Sequence, residues 1–90
     1  MILRLHTENK NRNWIESLIG LHFPDGFSTQ EQVGYWQGKV ESSLCIEIDA
    51  LDLASVCWDY KIADIIAELK THNAQDAVLV QEIESNSYLA

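Results

Sequence analysis

Residues 30–49 read QEQVGYWQGKVESSLCIEID, and this stretch decides the fold. Apolar and polar residues alternate on both sides of Gln37-Gly38, the period of a β-strand with one buried and one wetted face. A two-residue connection ending in glycine suits a tight hairpin, because its backbone must take positive φ. The implied register pairs Trp36 with Lys39, Tyr35 with Val40, Gly34 with Glu41 and Val33 with Ser42. One face then holds Val33, Tyr35, Val40, Ser42, Leu44, Ile46 and Ile48. That face is expected to be buried, with the Tyr35 hydroxyl reaching the sheet edge. The opposite, wet face holds Gln32, Trp36, Lys39, Glu41, Ser43, Cys45, Glu47 and Asp49.

On the N-terminal side, Phe23-Pro24-Asp25-Gly26 ends a helix whose apolar spacing is set by Trp14, Ile15, Leu18 and Ile19. Asn13 is the expected N-cap, with Glu16 three places on completing a capping box. Residues 7–13, TENKNRN, read as a loop, and ILRLH at 2–6 reads as a strand with Arg4 and His6 opposite Leu3 and Leu5. On the C-terminal side, residues 50–58 fit either a long connection or an early helical turn. Ile62, Ile65, Ile66 and Leu69 predict a helix over 59–72, with Asn73 as its left-handed C-cap. Residues 77–80 with Ile83 form a last strand, and SNSYLA reads as a tail.

The order strand, helix, strand, strand, helix, strand implies the split βαβ arrangement of a ferredoxin-like α+β domain. It places two helices on one face of a four-stranded antiparallel sheet, as a single domain over residues 1–90. The first and third strands are then central neighbours, which sets Arg4 and His6 beside Cys45, Glu47 and Asp49 on the helix-free face.

Composition narrows the functional classes. The 90 residues are 47% apolar and 22% charged, the balance of a globular domain. No apolar run is long enough to span a bilayer, and the start of the chain lacks the pattern of an export signal. Cys45 and Cys57 have neither disulfide-scaffold density nor metal-type spacing, so a cytoplasmic setting is expected. The net charge is −8. Up to residue 39, Arg4, Lys10, Arg12 and Lys39 cancel Glu8, Glu16, Asp25 and Glu31, so residues 40–90 carry the whole excess. Such a surface repels phosphate backbones, which argues against direct nucleic-acid binding and leaves a solvated face or one that docks on a basic partner.

Phe23-Pro24-Asp25-Gly26-Phe27-Ser28, then Gly34-Tyr35-Trp36, then Glu41-Ser42-Ser43-Leu44 resembles a family of short bacterial and phage proteins defined only as a domain of unknown function. The resemblance covers residues 23–48. It departs at Phe27 and Ser28, where the family pattern has Leu and Thr, and in a shorter hairpin. The family pattern supports the fold and carries no reaction; small phage proteins of this size suggest a counter-defence inhibitor or ligand trap.

Two constellations bear on binding. On the open sheet face, Arg4, Glu41 and Glu47, edged by Trp36, can hold a polar ligand. His6 with Glu47 forms a chemically competent acid–base pair if the carboxylate fixes the imidazole tautomer, which is the enzymatic alternative. His6, Cys45 and Glu47 are permissible zinc ligands, yet without paired spacing no metal or cofactor is expected. In the loop before the first helix, Lys10 and Arg12 lie where helix-terminal amides favour an anion such as a nucleotide phosphate, and Arg4 is expected to meet that anion with them. The helix-free face and a modest core favour a homodimer, through a sheet edge or the 50–58 segment. The expected activity is therefore binding, of a protein partner or a small anionic ligand.

Overall fold

The computed structural model describes residues 2–49, 56–75 and 77–84, except for the side chains of Trp36 and residues 56–59. The elements are β1 (Ile2–Glu8), α1 (Arg12–His22), β2 (Ser28–Trp36), β3 (Lys39–Asp49), α2 (Val56–His72) and β4 (Leu79–Ile83). All strand pairs are antiparallel, in the order β2-β3-β1-β4. The ferredoxin-like α+β fold follows.

The hairpin forms in the register expected from its sequence, from Trp36 opposite Lys39 to Ser28 opposite Glu47. Gln37 and Gly38 take φ of 49° and 76°, so both central turn residues are left-handed as a type I′ connection requires. β1 pairs with β3 from Ile2 opposite Asp49 to Glu8 opposite Ser43. Leu3, Leu5, Leu44, Ile46 and Ile48 face the helices and meet Ile15, Leu18 and Ile19 of α1 and Ile65 and Leu69 of α2 in one core. Burial of this apolar surface supplies most of the folding drive.

Several local expectations are corrected. β1 runs on to Glu8, so the loop starts two residues later than TENKNRN suggests, and α1 begins at Arg12. Its N-cap is Asn11 at φ 56°, ψ 51°, not Asn13, and no side chain caps it. The Asn11 amide instead donates to Asn73 Oδ1 at 3.0 Å. Its left-handed backbone differs from the extended one of a capping residue, and the side chain bonds the end of the other helix instead. Asn73 is not left-handed either. It is 5% exposed, and Ala74 takes the positive φ of 51°. The Gln75 amide then reaches back to the Lys70 carbonyl at 3.2 Å, the long bond of a Schellman close. α2 starts at Val56, ahead of the expected residue 59, and β4 spans Leu79–Ile83 rather than starting at residue 77. The tail from residue 85 and residues 50–55 lie outside the described residues.

The largest correction concerns the outer half of the hairpin. Val33, Tyr35 and Val40 were expected to be buried but are 66%, 77% and 66% exposed. β1 stops opposite Ser43 and the Asn9 N–H reaches only the Ser42 carbonyl, so residues 39–41 of β3 pair with β2 alone, and among the described residues nothing covers Val33, Tyr35 and Val40. Strand alternation continues where the helical layer has ended.

Candidate functional site

The strand register delivers Arg4, His6, Cys45 and Glu47 to the helix-free face together. Arg4 is directly opposite Glu47, and His6 is opposite Cys45. Arg4 Nε donates to Glu47 Oε2 at 3.0 Å. Both side chains are 40% exposed, so this pair orients two groups more than it stabilises the fold. His6 Nε2 lies 2.7 Å from Gln81 Oε1 on β4, one strand away from Glu47. The expected His6–Glu47 acid–base pair is therefore not assembled: each member has a different partner. Its sequence logic neglected the diagonal, since Glu47 is level with Arg4 and not with His6.

Cys45, between these groups, is 7% exposed. Burial pushes its thiol above the ordinary range; the nearby Arg4 charge opposes this and Glu47 adds to it. Because the folded value is raised, the thiol contributes stability below the ordinary thiol range and loses it as pH climbs through the folded value. Peptide mapping after mild alkaline alkylation is expected to find Cys45 modified many-fold more slowly in the native chain than in urea. Equal rates would show that it is not shielded. Among the described residues, no group of three His, Cys, Asp or Glu side chains converges to hold a metal ion.

The loop cations are not gathered into one anion site. Lys10 Nζ is 2.8 Å from Glu8 Oε2. Arg12 lies on the helix side of the sheet, 2.8 Å from Glu31 and 3.4 Å from Glu16, and donates to Thr29 Oγ1 at 3.2 Å. With Arg4 on the opposite face, each of these cations already has a carboxylate partner. Trp36 is paired through its backbone with Lys39; its side chain, like those of Cys57 and Trp58, lies outside the described set.

What does converge is a shallow recess of about 270 Å³ where β1 ends beside the hairpin, lined by Glu8, Asn9, Lys10, Glu41 and Ser42. Asn9 anchors it: its amide N–H donates to the Ser42 carbonyl at 3.2 Å, and its side chain donates to Ser42 Oγ at 3.2 Å and Glu31 Oε1 at 3.4 Å. The recess presents an ammonium, an amide, a hydroxyl and two carboxylates. Of the sequence candidates, Lys10 and Glu41 meet here; Glu8, Asn9 and Ser42 were missed, because only the unequal lengths of β1 and β3 create the step between them.

Behind this recess lies a buried polar cluster that the sequence also concealed. Thr7, Asn73 and Gln75 are 3%, 5% and 6% exposed. Thr7 Oγ1 and the Gln75 amide exchange hydrogen bonds at 3.0 and 2.6 Å, and the Glu8 N–H donates to Gln75 Oε1 at 3.2 Å. Asn73 donates to the Lys10 carbonyl at 3.2 Å. The turn after α2 thus holds the end of β1 and the Lys10 loop in place. Trp14 stacks on His72 at 3.8 Å on the same end of the helical layer.

No protein-family model matches the chain, and no curated protein matches it significantly. Solved structures do share its fold. A phage SAM lyase in its apo state matches at a TM-score of 0.66 and 18% identity, covering 98% of this chain and 91% of that one. A phage SAM lyase in complex with S-methyl-5′-thioadenosine matches at 0.58 and 19%, covering 88% and 76%. A DUF3240 family protein from Shewanella baltica matches at 0.68 and 21%, covering 99% and 94%. At this level of identity the likeness establishes the fold.

Proposed function

We propose that this chain is a small-ligand-binding module whose ligand is a nucleoside carrying polar or zwitterionic groups, held at the step between β1 and the hairpin. The observation that carries the reading is the mixed lining of that recess: Lys10 and Asn9 as donors, Glu8 and Glu41 as acceptors, and Ser42 as either. Carboxylates accept hydrogen bonds from ribose hydroxyls, whereas a bare phosphate would have to displace Glu8 from Lys10 on a chain of net charge −8. A nucleoside thioether or sulfonium therefore suits the lining better than the simple anion expected from the loop sequence. The methylthioadenosine complex of a protein with the same fold supports that ligand class. Such a module acts as a ligand trap, in keeping with the phage setting of two of the similar structures. The enzymatic alternative needs a proton-transfer pair, and His6 and Glu47 are engaged elsewhere.

Thermal denaturation with S-methyl-5′-thioadenosine, S-adenosylmethionine, ATP and inorganic phosphate tests this. Ligand at a hundredfold excess over its dissociation constant stabilises by about 2.7 kcal/mol, which raises the midpoint by about 10 °C or more in a domain of this size. The nucleoside thioether or sulfonium is expected to give that rise, and Lys10→Ala with Glu41→Gln to remove most of it. A rise with ATP and phosphate alone would restore the simple-anion reading, and no rise with any compound would overturn small-ligand binding at this recess.

A further inference from the structure

We propose that the outer half of the β2–β3 hairpin is the surface on which a second copy of this chain docks. The hairpin beyond Ser42 is a two-stranded ribbon, since β1 pairs only as far as Ser43 and the Asn9 N–H only reaches Ser42. Two strands alone are marginal in water, and this pair exposes Val33, Tyr35 and Val40 on its helix-side face. β2 is also an edge strand of the sheet. In STQEQVGYW it carries one charge, Glu31, and neither lysine nor proline, so the usual devices that blunt an edge are missing.

The described ends of β3 and β4, Asp49 and Ile83, both pair with Ile2 at the end of the sheet opposite the hairpin turn. From Asp49 to Val40 is about 30 Å along the strand. The six-residue stretch 50–55 spans about 20 Å at full extension.

Charge selects a second copy over a basic or acidic partner. The excess of −8 resides in residues 40–90, and most of those acids lie beyond the hairpin. The outer hairpin holds Glu31, Lys39 and Glu41, with Lys10 and Arg12 beside its base, which is close to neutral. Elsewhere two copies of an acidic chain repel each other; here an apolar, nearly uncharged face lets them meet. Tyr35 is the natural anchor, as a large side chain with few torsions to immobilise.

Sedimentation or light scattering on the full chain, across a concentration series, tests the proposal. The wild type is expected to show a mass above one chain at micromolar concentration. Tyr35→Glu with Val40→Glu is expected to raise the dissociation constant by at least about 100-fold, leaving a monomer. Both side chains are exposed, so circular dichroism should report an unchanged fold. Leu21→Glu, 79% exposed in the last turn of α1, should leave the assembly intact. A wild type that stays monomeric throughout would overturn the proposal and leave another molecule as the occupant. An assembly that survives the double substitution, or one that Leu21→Glu dissociates, would also overturn it.

Discussion

Replacing Gln75 with leucine is expected to destabilise the protein by about 3 kcal/mol. The side chain serves as donor and acceptor to Thr7 and as acceptor for the Glu8 N–H, inside a site that is closed to water. Leucine fills a similar volume but leaves the Thr7 hydroxyl and a backbone N–H without partners, and each such buried group carries a penalty of about 1–3 kcal/mol. Chemical denaturation should show the loss as a lower midpoint at unchanged slope. Gln81→Leu is the contrast: its bond to His6 is exposed, so water replaces the lost partner and the effect should stay within about 0.5 kcal/mol. Equal losses for the two variants would mean that the Thr7–Gln75 cluster contributes nothing special. The loss also has a functional reading, because the cluster holds the end of β1 and the Lys10 loop against the recess.

Leu5→Ala is expected to cost about 3–4 kcal/mol, at the upper middle of the range for fully buried leucine. Leu5 is 0% exposed and stands between Ile46 on β3 and Val80 on β4, at the centre of the sheet and under both helices. Neighbours held on both sides by ladder hydrogen bonds cannot collapse into the space left behind, so the cavity persists. A domain of this size holds about 5–13 kcal/mol in total, so the variant should melt about 15–25 °C lower. Leu21→Ala, on the exposed side of α1, should change the midpoint little. A loss below about 1 kcal/mol for Leu5→Ala would contradict the sheet-centred core.

The hairpin shows how far local pattern reaches. Its turn, its register and its two faces follow from a period of two and from one glycine, because pairing across a two-residue turn is settled by near neighbours. That Arg4 and His6 share a face with Cys45 and Glu47 was legible once β1 and β3 were recognised as neighbours, but the exact register that sets Glu47 opposite Arg4 was not. The fate of Tyr35 was not. Alternation tells which side of a strand a residue takes, and only the length of the opposing layer tells whether anything is there to bury it. Asn11, Asn73 and Gln75 escaped in a similar way: polar residues near helix ends read as caps, whereas here they bond to one another across segments distant in the chain.

The order of apolar periods along the chain determined by itself that four strands and two helices form and which strands neighbour each other, and the placement of the charged residues puts the net −8 in residues 40–90. Tertiary structure alone decided where β1 stops relative to β3, and with it the recess at Lys10, the partners taken by His6 and Glu47, and the uncovered outer hairpin. Periodicity is a property of neighbours in sequence, while cover is a property of how far two separately encoded layers extend over each other.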